Sequence, residues 1–496
     1  MTRRFRWIAV SLAAALSLSF LSPASATVAP LSAPELAAAS PHVVVAVVEG
    51  AESRWDRSLI VTDYSLRIEE RLRGDAPDRV TISIPGGTVG NETHETSVSF
   101  PLDVGERYLL FLGDLDRPTL TPVTGAWQGA FREDEPAAFS GTIEAARSLL
   151  RGEPGRPLGP AARPEVREEK YSIGEPLALP PVAWNVAMPG PSVFTRELER
   201  MMAYWNVYAG DLFRIASTSP DWTFGDGVSD FVGFPDNATM NARFGRSWGA
   251  DSVSFAIRQV QGRQILETAI ALNPGRPWTV APWESTRPGG PSLFQDQTLG
   301  ALGFAWGLNS SFTIPGNPFD FQEVQWDSVL NIKLPQYHLA TLCADDTAAV
   351  RKAFGGVSLR DGLISSYTTQ RTGSPVLFYT PAVPSPSSVR PGAKLNLSAI
   401  KIENTGTVPL AKPVVELYLV PSRFSLDRAI LVKRLRASAT IPRGGVLNVT
   451  PGKVTVPAST PAGTYFLAFA LKDAKDVFQE NNRAWSDYNV TVRVVR

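Results

Sequence analysis

The chain alternates between two hydrophobic rhythms. Behind His42, Val43–Val48 is an unbroken apolar run, the pattern of a strand buried on both faces. Leu59–Leu72, Arg79–Ile84 and Arg107–Leu112 continue this strand pattern, separated by Gly-Asp, Pro-Gly-Gly and Val-Gly-Glu turns. Residues 27–130 are therefore expected to form a small β-barrel or sandwich. Residues 131–180 read as a Pro-rich linker, with a short helix over Gly141–Leu150 before GEPGRPLGPAARPEVREEK.

From residue 181 the period changes. Phe194–Phe213 carries Leu198, Met201, Met202, Trp205, Tyr208 and Leu212 at helical spacing. Strands are expected near Asp230–Phe234, Ser252–Val260 and Ile265–Leu272, followed by a small-residue helix. A last helix is expected over Asp345–Phe354, capped by Asp345 and stopped by Gly355. Residues 181–358 thus form a mixed α+β unit. Residues 376–496 return to strict alternation with turns about every 8 to 12 residues, a β-sandwich signature.

Composition narrows the function classes. The 496 residues carry 48 basic and 48 acidic side chains, which argues against a nucleic-acid partner held by bulk charge. Arg3, Arg4 and Arg6, the apolar run Ile8–Leu21 and Ala24-Ser25-Ala26 have the order of a signal peptide ending at residue 26, so export is expected: extracellular, cell-surface or periplasmic. That run is shorter than the roughly 20 residues a spanning helix needs. No later stretch is long and apolar enough, so no transmembrane segment is expected after cleavage. Cys343 is the only cysteine, which rules out an internal disulfide and suggests a small buried apolar residue.

The most informative stretch is Thr298–Ser311, TLGALGFAWGLNSS. It resembles the zinc-binding helix of the matrixin branch of the metzincin metallopeptidases, T-L-H-E-L-G-H-A-L-G-L-x-H-S. In that signature, two His four residues apart share one helical face and one metal, and the intervening Glu acts as general base. Thr298, Leu299, Leu302, Gly303, Ala305, Gly307, Leu308 and Ser311 match the scaffold. Gly300, Ala301, Phe304 and Ser310 stand where His, Glu, His and His belong. The frame is supported upstream by Ala203–Asn206, Asp226-Gly227-Val228, Glu267–Asn273 and Trp278. Downstream support comes from Asp327–Asn331, with Leu330 in place of the Met-turn methionine, and from Leu342–Gly355. A β-domain like that of residues 27–130 also precedes secreted bacterial members. The plainer alternative is a packing helix, in which Gly300 and Gly303 each cost roughly 1 kcal/mol against Ala unless close packing compensates them.

The resemblance implies zinc, but its ligands are missing, so no cofactor is expected. The histidines are His42, His94 and His338, too few and too scattered to rebuild the site. His94-Glu95 has the first two letters of the motif and no second His. Asp320, Glu323 and Asp327 fall near the expected cleft, as a hard-cation site or, more simply, a solvated loop. The same resemblance makes Ser252–Gln259 the peptide-pairing edge strand, with Ser254, Phe255, Ala256 and Ile257 its contacts; an interior or covered strand is the alternative. Eight of the 12 Trp lie between Trp184 and Trp326, lining a groove or, more simply, filling a core.

Residues 376–496 resemble the CARDB family, an Ig-like adhesion-related domain. Val389–Gly392, Asn404-Thr405-Gly406, Leu417-Tyr418-Leu419, Pro461–Tyr465 and Gln479–Asn482 carry this likeness. Together the readings describe an exported, non-catalytic binding or adhesion protein on a matrixin-like pseudo-metallopeptidase scaffold. Its expected partners are an extended peptide or a cell-surface or extracellular protein. The alternative is a secreted matrixin-family metallopeptidase with a relocated or atypical metal site.

Overall fold

The computed structural model describes residues 31, 33–133, 136–153, 177–188, 192–249, 251–285, 290–308, 342–365, 381–473, 475–479, 481–487 and 490–495. The signal-like segment, most of the Pro-rich stretch, Ser310, Asp320, Glu323, Asp327, Leu330 and His338 lie outside the described residues. The chain is predominantly β, built of several sheets with few helices.

The first unit comprises α1 (Ala33–Ala39), β1 (His42–Asp56), β2 (Leu59–Arg73), β3 (Arg79–Pro85), β4 (Gly87–Val89), β5 (Glu92–Thr96), β6 (Arg107–Leu112), β7 (Ala130–Arg132) and α2 (Pro136–Leu150). An antiparallel sheet has the order β3-β2-β1-β6-β7. The apolar run of β1 is buried on both faces. Val43 and Val45 pack with Leu109, Phe111, Phe139 and Ile143 beneath α1 and α2. Val44, Ala46 and Val48 point the other way, against Phe255, Ile257, Ala269 and Ala271 of the second unit.

Two expectations are corrected here. The first sheet does not close into a barrel: it runs open from β3 to β7, and its second face packs, sandwich-fashion, on a sheet formed by β4, β5 and strands from later in the chain. The helix placed in a linker over 141–150 starts at Pro136, and Phe139, Ile143 and Ala146 bury it on the first sheet.

The second unit contains β8 (Leu177–Ala178), β9 (Val182–Val186), α3 (Val193–Ala209), β10 (Phe213–Ser217), β11 (Ser229–Gly233), α4 (Asn237–Phe244), β12 (Ser254–Gln261) and β13 (Gln264–Leu272). A short parallel pair, β14 (Trp278–Thr279) and β15 (Ser292–Leu293), flanks α5 (Pro282–Ser285) and leads into α6 (Phe294–Trp306); α7 (Ala344–Phe354) follows. The eight-stranded sheet runs β10-β9-β11-β13-β12-β5-β4, with β8 also on β13. β9, β10, β11 and β13 are parallel and β12 is antiparallel to β13. One face lies on the first unit. The other carries α3, α6 and α7 around Trp184, Met201, Trp205, Leu299, Leu302, Trp306 and Val350. The helix expected to reach Phe213 stops at Gly210, at φ 87°, and Phe213 opens a strand. The last helix is entered through Cys343, whose N–H donates to Asp346 Oδ2 at 2.9 Å, rather than through Asp345. Cys343 itself is buried.

The third unit is a β-sandwich. Its strands are β16 (Gly362–Ile364), β17 (Pro384–Ser385), β18 (Ser388–Val389), β19 (Lys394–Leu397), β20 (Ile400–Asn404), β21 (Val414–Val420), β22 (Ile430–Arg436), β23 (Val446–Val449), β24 (Gly452–Thr455), β25 (Gly463–Lys472), β26 (Arg483–Trp485) and β27 (Thr491–Val494). The ladders β16-β20-β23 and β17-β19-β24 face the sheet β18-β27-β25-β21-β22, which also carries β26 on β25. Leu395, Ile402 and Val454 meet Leu417, Leu467 and Val492 in one core between them. No helix among the described residues is long and apolar enough to cross a membrane.

Candidate functional site

The quoted small-residue stretch forms α6, and the whole helix is buried. Gly303 is a close-packing position. A Cβ on Gly303 would lie 3.1 Å from Trp205 Cζ2 and 3.3 Å from Leu308 Cδ2. Trp205 cannot retreat: its Nε1–H donates to the Leu299 carbonyl at 3.2 Å, and its ring meets Trp306 edge-on. Gly307, at φ 123°, ends the helix, and the Leu308 N–H turns back to the Gly303 carbonyl.

Gly300, Ala301 and Phe304 all fall on this helix. The Phe304 ring lies beneath the Arg258 guanidinium, 4.3 Å from ring centroid to Cζ. Arg258 Nη1 also donates to the Phe304 carbonyl at 3.0 Å. Arg258 belongs to β12, and its side chain is only 3% exposed. Burial lowers its pKa, and the carboxylate of Glu95, itself 37% exposed, opposes that by pairing with it. Phe304, Arg258 and Glu95 thus form one stack of an aromatic ring, a buried cation and a carboxylate. Among the described residues, no group of three or more His, Cys, Asp or Glu could hold a metal ion.

The expected peptide edge is corrected. β12 pairs with β13 on one side and β5 on the other, in the register Ile257↔Thr96, Arg258↔Glu95, Gln259↔His94 and Val260↔Thr93. The Ser97 N–H donates to the Ala256 carbonyl at 3.0 Å, and the Ala256 N–H donates to Ser97 Oγ at 2.9 Å. Ser254 Oγ is within 3.2 Å of Gln297 Oε1, and Phe255 and Ile257 point into the core shared with the first unit. Phe255, Ala256 and Ile257 thus hold the two units together, and Ser254 faces α6 of its own unit. β5 is invisible to hydrophobic patterning because Glu92–Thr96 (ETHET) contains no aliphatic residue. The sequence signal for the site was Arg258, a lone charge inside the otherwise buried SFAIRQV run.

Two further polar clusters are buried. Beneath the sheet, Glu267 accepts the N–H groups of Gly225 and Gly227, and Asn185 Nδ2 donates to Asp230 Oδ1. Burial raises Glu267 to about 7 and Asp230 to about 6. These carboxyls clamp the loop that carries Trp222 and Phe224. At the joint with the sandwich, Asp361 accepts from Tyr208, Thr405 and Asn481, and Asp476 Oδ2 accepts the Gly362 N–H. Trp184, Trp205 and Trp306 are fully buried and line no groove.

No family model matches the chain, and no curated protein matches it. Among solved structures it is similar to the CARDB domain of the PF1109 protein in complex with di-metal ions from Pyrococcus furiosus, at 15% identity, with a TM-score of 0.18, over 28% of this chain and 96% of that one. It is also similar to PapD-like domain 7 of human CEP192, at 13% identity, with a TM-score of 0.12, over 26% of this chain and 96% of that one. The class that fold and site define is a multi-sheet, predominantly β protein ending in a β-sandwich.

Proposed function

We propose that the protein is an exported, non-catalytic binding or adhesion protein: a matrixin-like pseudo-metallopeptidase unit followed by a CARDB-like sandwich. The observation that carries this reading is the Arg258–Phe304 stack. In the motif frame Phe304 replaces the second zinc ligand, and the guanidinium above its ring puts a fixed positive charge where a cationic metal would have to sit. The parallel β9, β10, β11 and β13 with antiparallel β12, and α6 packed on α3 through Gly303 and Trp205, support the matrixin-like part. With β5 on β12, the expected partner is a cell-surface or extracellular protein rather than a peptide added to that edge.

The test is metal content by mass spectrometry of the purified protein after incubation with zinc and dialysis, alongside a general peptidase assay. Substoichiometric zinc and no proteolysis are expected. About one zinc per chain with proteolysis would overturn the proposal in favour of a metallopeptidase with a relocated site.

A further inference from the structure

We infer that the hairpin Gly86–Ser97 is an acid-released flap over β12, with His94 as its latch. This goes beyond the proposed function and does not depend on it.

The hairpin leaves the first sheet after β3 and crosses to the second sheet, where β4 pairs with β5 and β5 with β12. Its sequence, GGTVGNETHETS, has Val89 as its only aliphatic side chain. Hydrophobic burial therefore contributes little to its docking, which rests on the β5–β12 ladder, the Glu95–Arg258 pair and the His94 ring, its most buried side chain at 2% exposed. That ring lies edge-on to Trp55 at 5.0 Å and to Phe224 at 5.3 Å. Trp55 is itself 42% exposed, so only a half-open indole separates the latch from solvent on that side.

The hydrogen bond at His94 fixes its charge state. The Ile60 backbone N–H of β2 donates to His94 Nδ1 at 3.0 Å. A backbone amide can only donate, so Nδ1 must remain an unprotonated acceptor, with the ring proton on Nε2. Protonating Nδ1 would aim two N–H groups at each other inside the core. Docking and the imidazolium are incompatible.

The charged groups on the surrounding elements do not relieve this. On its own strand, Glu95 is engaged with Arg258 and Glu92 with Gln259. On the β1–β2 hairpin, Arg54 pairs with Asp63 and Asp56 with Arg246. On the facing loop and β13 are Asp226 and Glu267, the latter committed to Gly225 and Gly227. Burial pushes His94 from 6.5 down to about 4. Glu267 and Asp230 move in the opposite direction, so acid relieves the cost of burying their charge and favours the folded state there, while it weakens the latch. The response is thereby confined to the hairpin.

Hydrogen exchange of the full chain, corrected for intrinsic rates, tests the inference. A docked imidazole near 4 and a released one near 6.5 make opening about tenfold more favourable per pH unit across that window. Protection of Thr93–Ser97 and Ala256–Val260 should therefore fall about 40-fold between pH 6.5 and 4.5, the slope flattening near each end of the window. Amides of β9 and β11 should keep theirs. His94→Gln, which retains an acceptor and does not titrate here, should abolish the acid response. As a second measurement, the chain's three histidines make the imidazole NMR signals of the wild type resolvable, and the His94 signal should titrate in step with the exchange. Constant protection in the wild type, the same loss in His94→Gln, or simultaneous loss across β9 and β11 would each overturn it.

Discussion

The Trp205 indole stands 3.1 Å from the point where Gly303 would carry a Cβ. Gly303→Ala should gain about 1 kcal/mol of helix propensity but force a ring fixed by Leu299 and Trp306 to move, at about 1–3 kcal/mol. A net loss of about 1 kcal/mol is expected, and Gly303→Val should lose more. Urea unfolding of both variants measures this, and a stabilised Gly303→Ala would show that the contact is not tight.

Glu95→Gln should cost more than an exposed carboxylate normally does. It strands the Arg258 guanidinium, which is almost wholly buried, without its counter-ion. Removing one partner of a buried pair costs about 3–5 kcal/mol, and the exposure of Glu95 should reduce that to about 2 kcal/mol. Arg258→Met, which keeps apolar volume over Phe304, should cost less, and the Arg258→Met, Glu95→Gln double variant should recover part of the loss. Additive losses in a double-mutant cycle would argue against coupling.

Glu267 sets a slope in stability against pH. Its carboxyl is raised from 4.5 to about 7, chiefly by burial, so the folded chain holds a proton that the unfolded chain has lost. Its contribution is fully present below 4.5 and disappears as pH rises to about 7, an effect of about 3 kcal/mol. Glu267→Gln keeps an acceptor for Gly225 and Gly227 and should lack this slope. Asp230, raised from 3.8 to about 6, leaves a smaller fall of the same sign. Denaturant titrations of both proteins from pH 4 to 8 compare them, and parallel curves would contradict the assignment.

Tyr208→Phe should loosen the joint between the second unit and the sandwich. The phenol of α3 donates to Asp361, which Thr405 and Asn481 also hold. Loss of a hydrogen bond to a buried carboxylate costs about 1.5–3 kcal/mol. The expected signature is faster proteolysis near Leu359–Ile364, with the β25 core unaffected. Wild-type proteolysis there would mean that the remaining donors suffice.

Much of the local structure was legible in the sequence. His42, Leu59, Arg79 and Arg107 open strands where alternation and turn residues placed them. The helical stripe of α3 and the buried Thr298–Trp306 helix followed from period and small-residue spacing, because an element's inward face must be apolar wherever it packs. The repeated alternation after residue 376 likewise reads through to the sandwich. What the sequence could not decide was which surfaces meet. β5 has no hydrophobic pattern, since its pairing rests on backbone hydrogen bonds, one imidazole and one ion pair. His94 and Glu95 are more than 160 residues from Arg258 in the chain. Only the packing of the first sheet across the second brings them to β12, covers the edge that looked open, and sets a guanidinium over Phe304. Periodicity records how much of each element is buried; the identity of the element that buries it is a property of the tertiary structure.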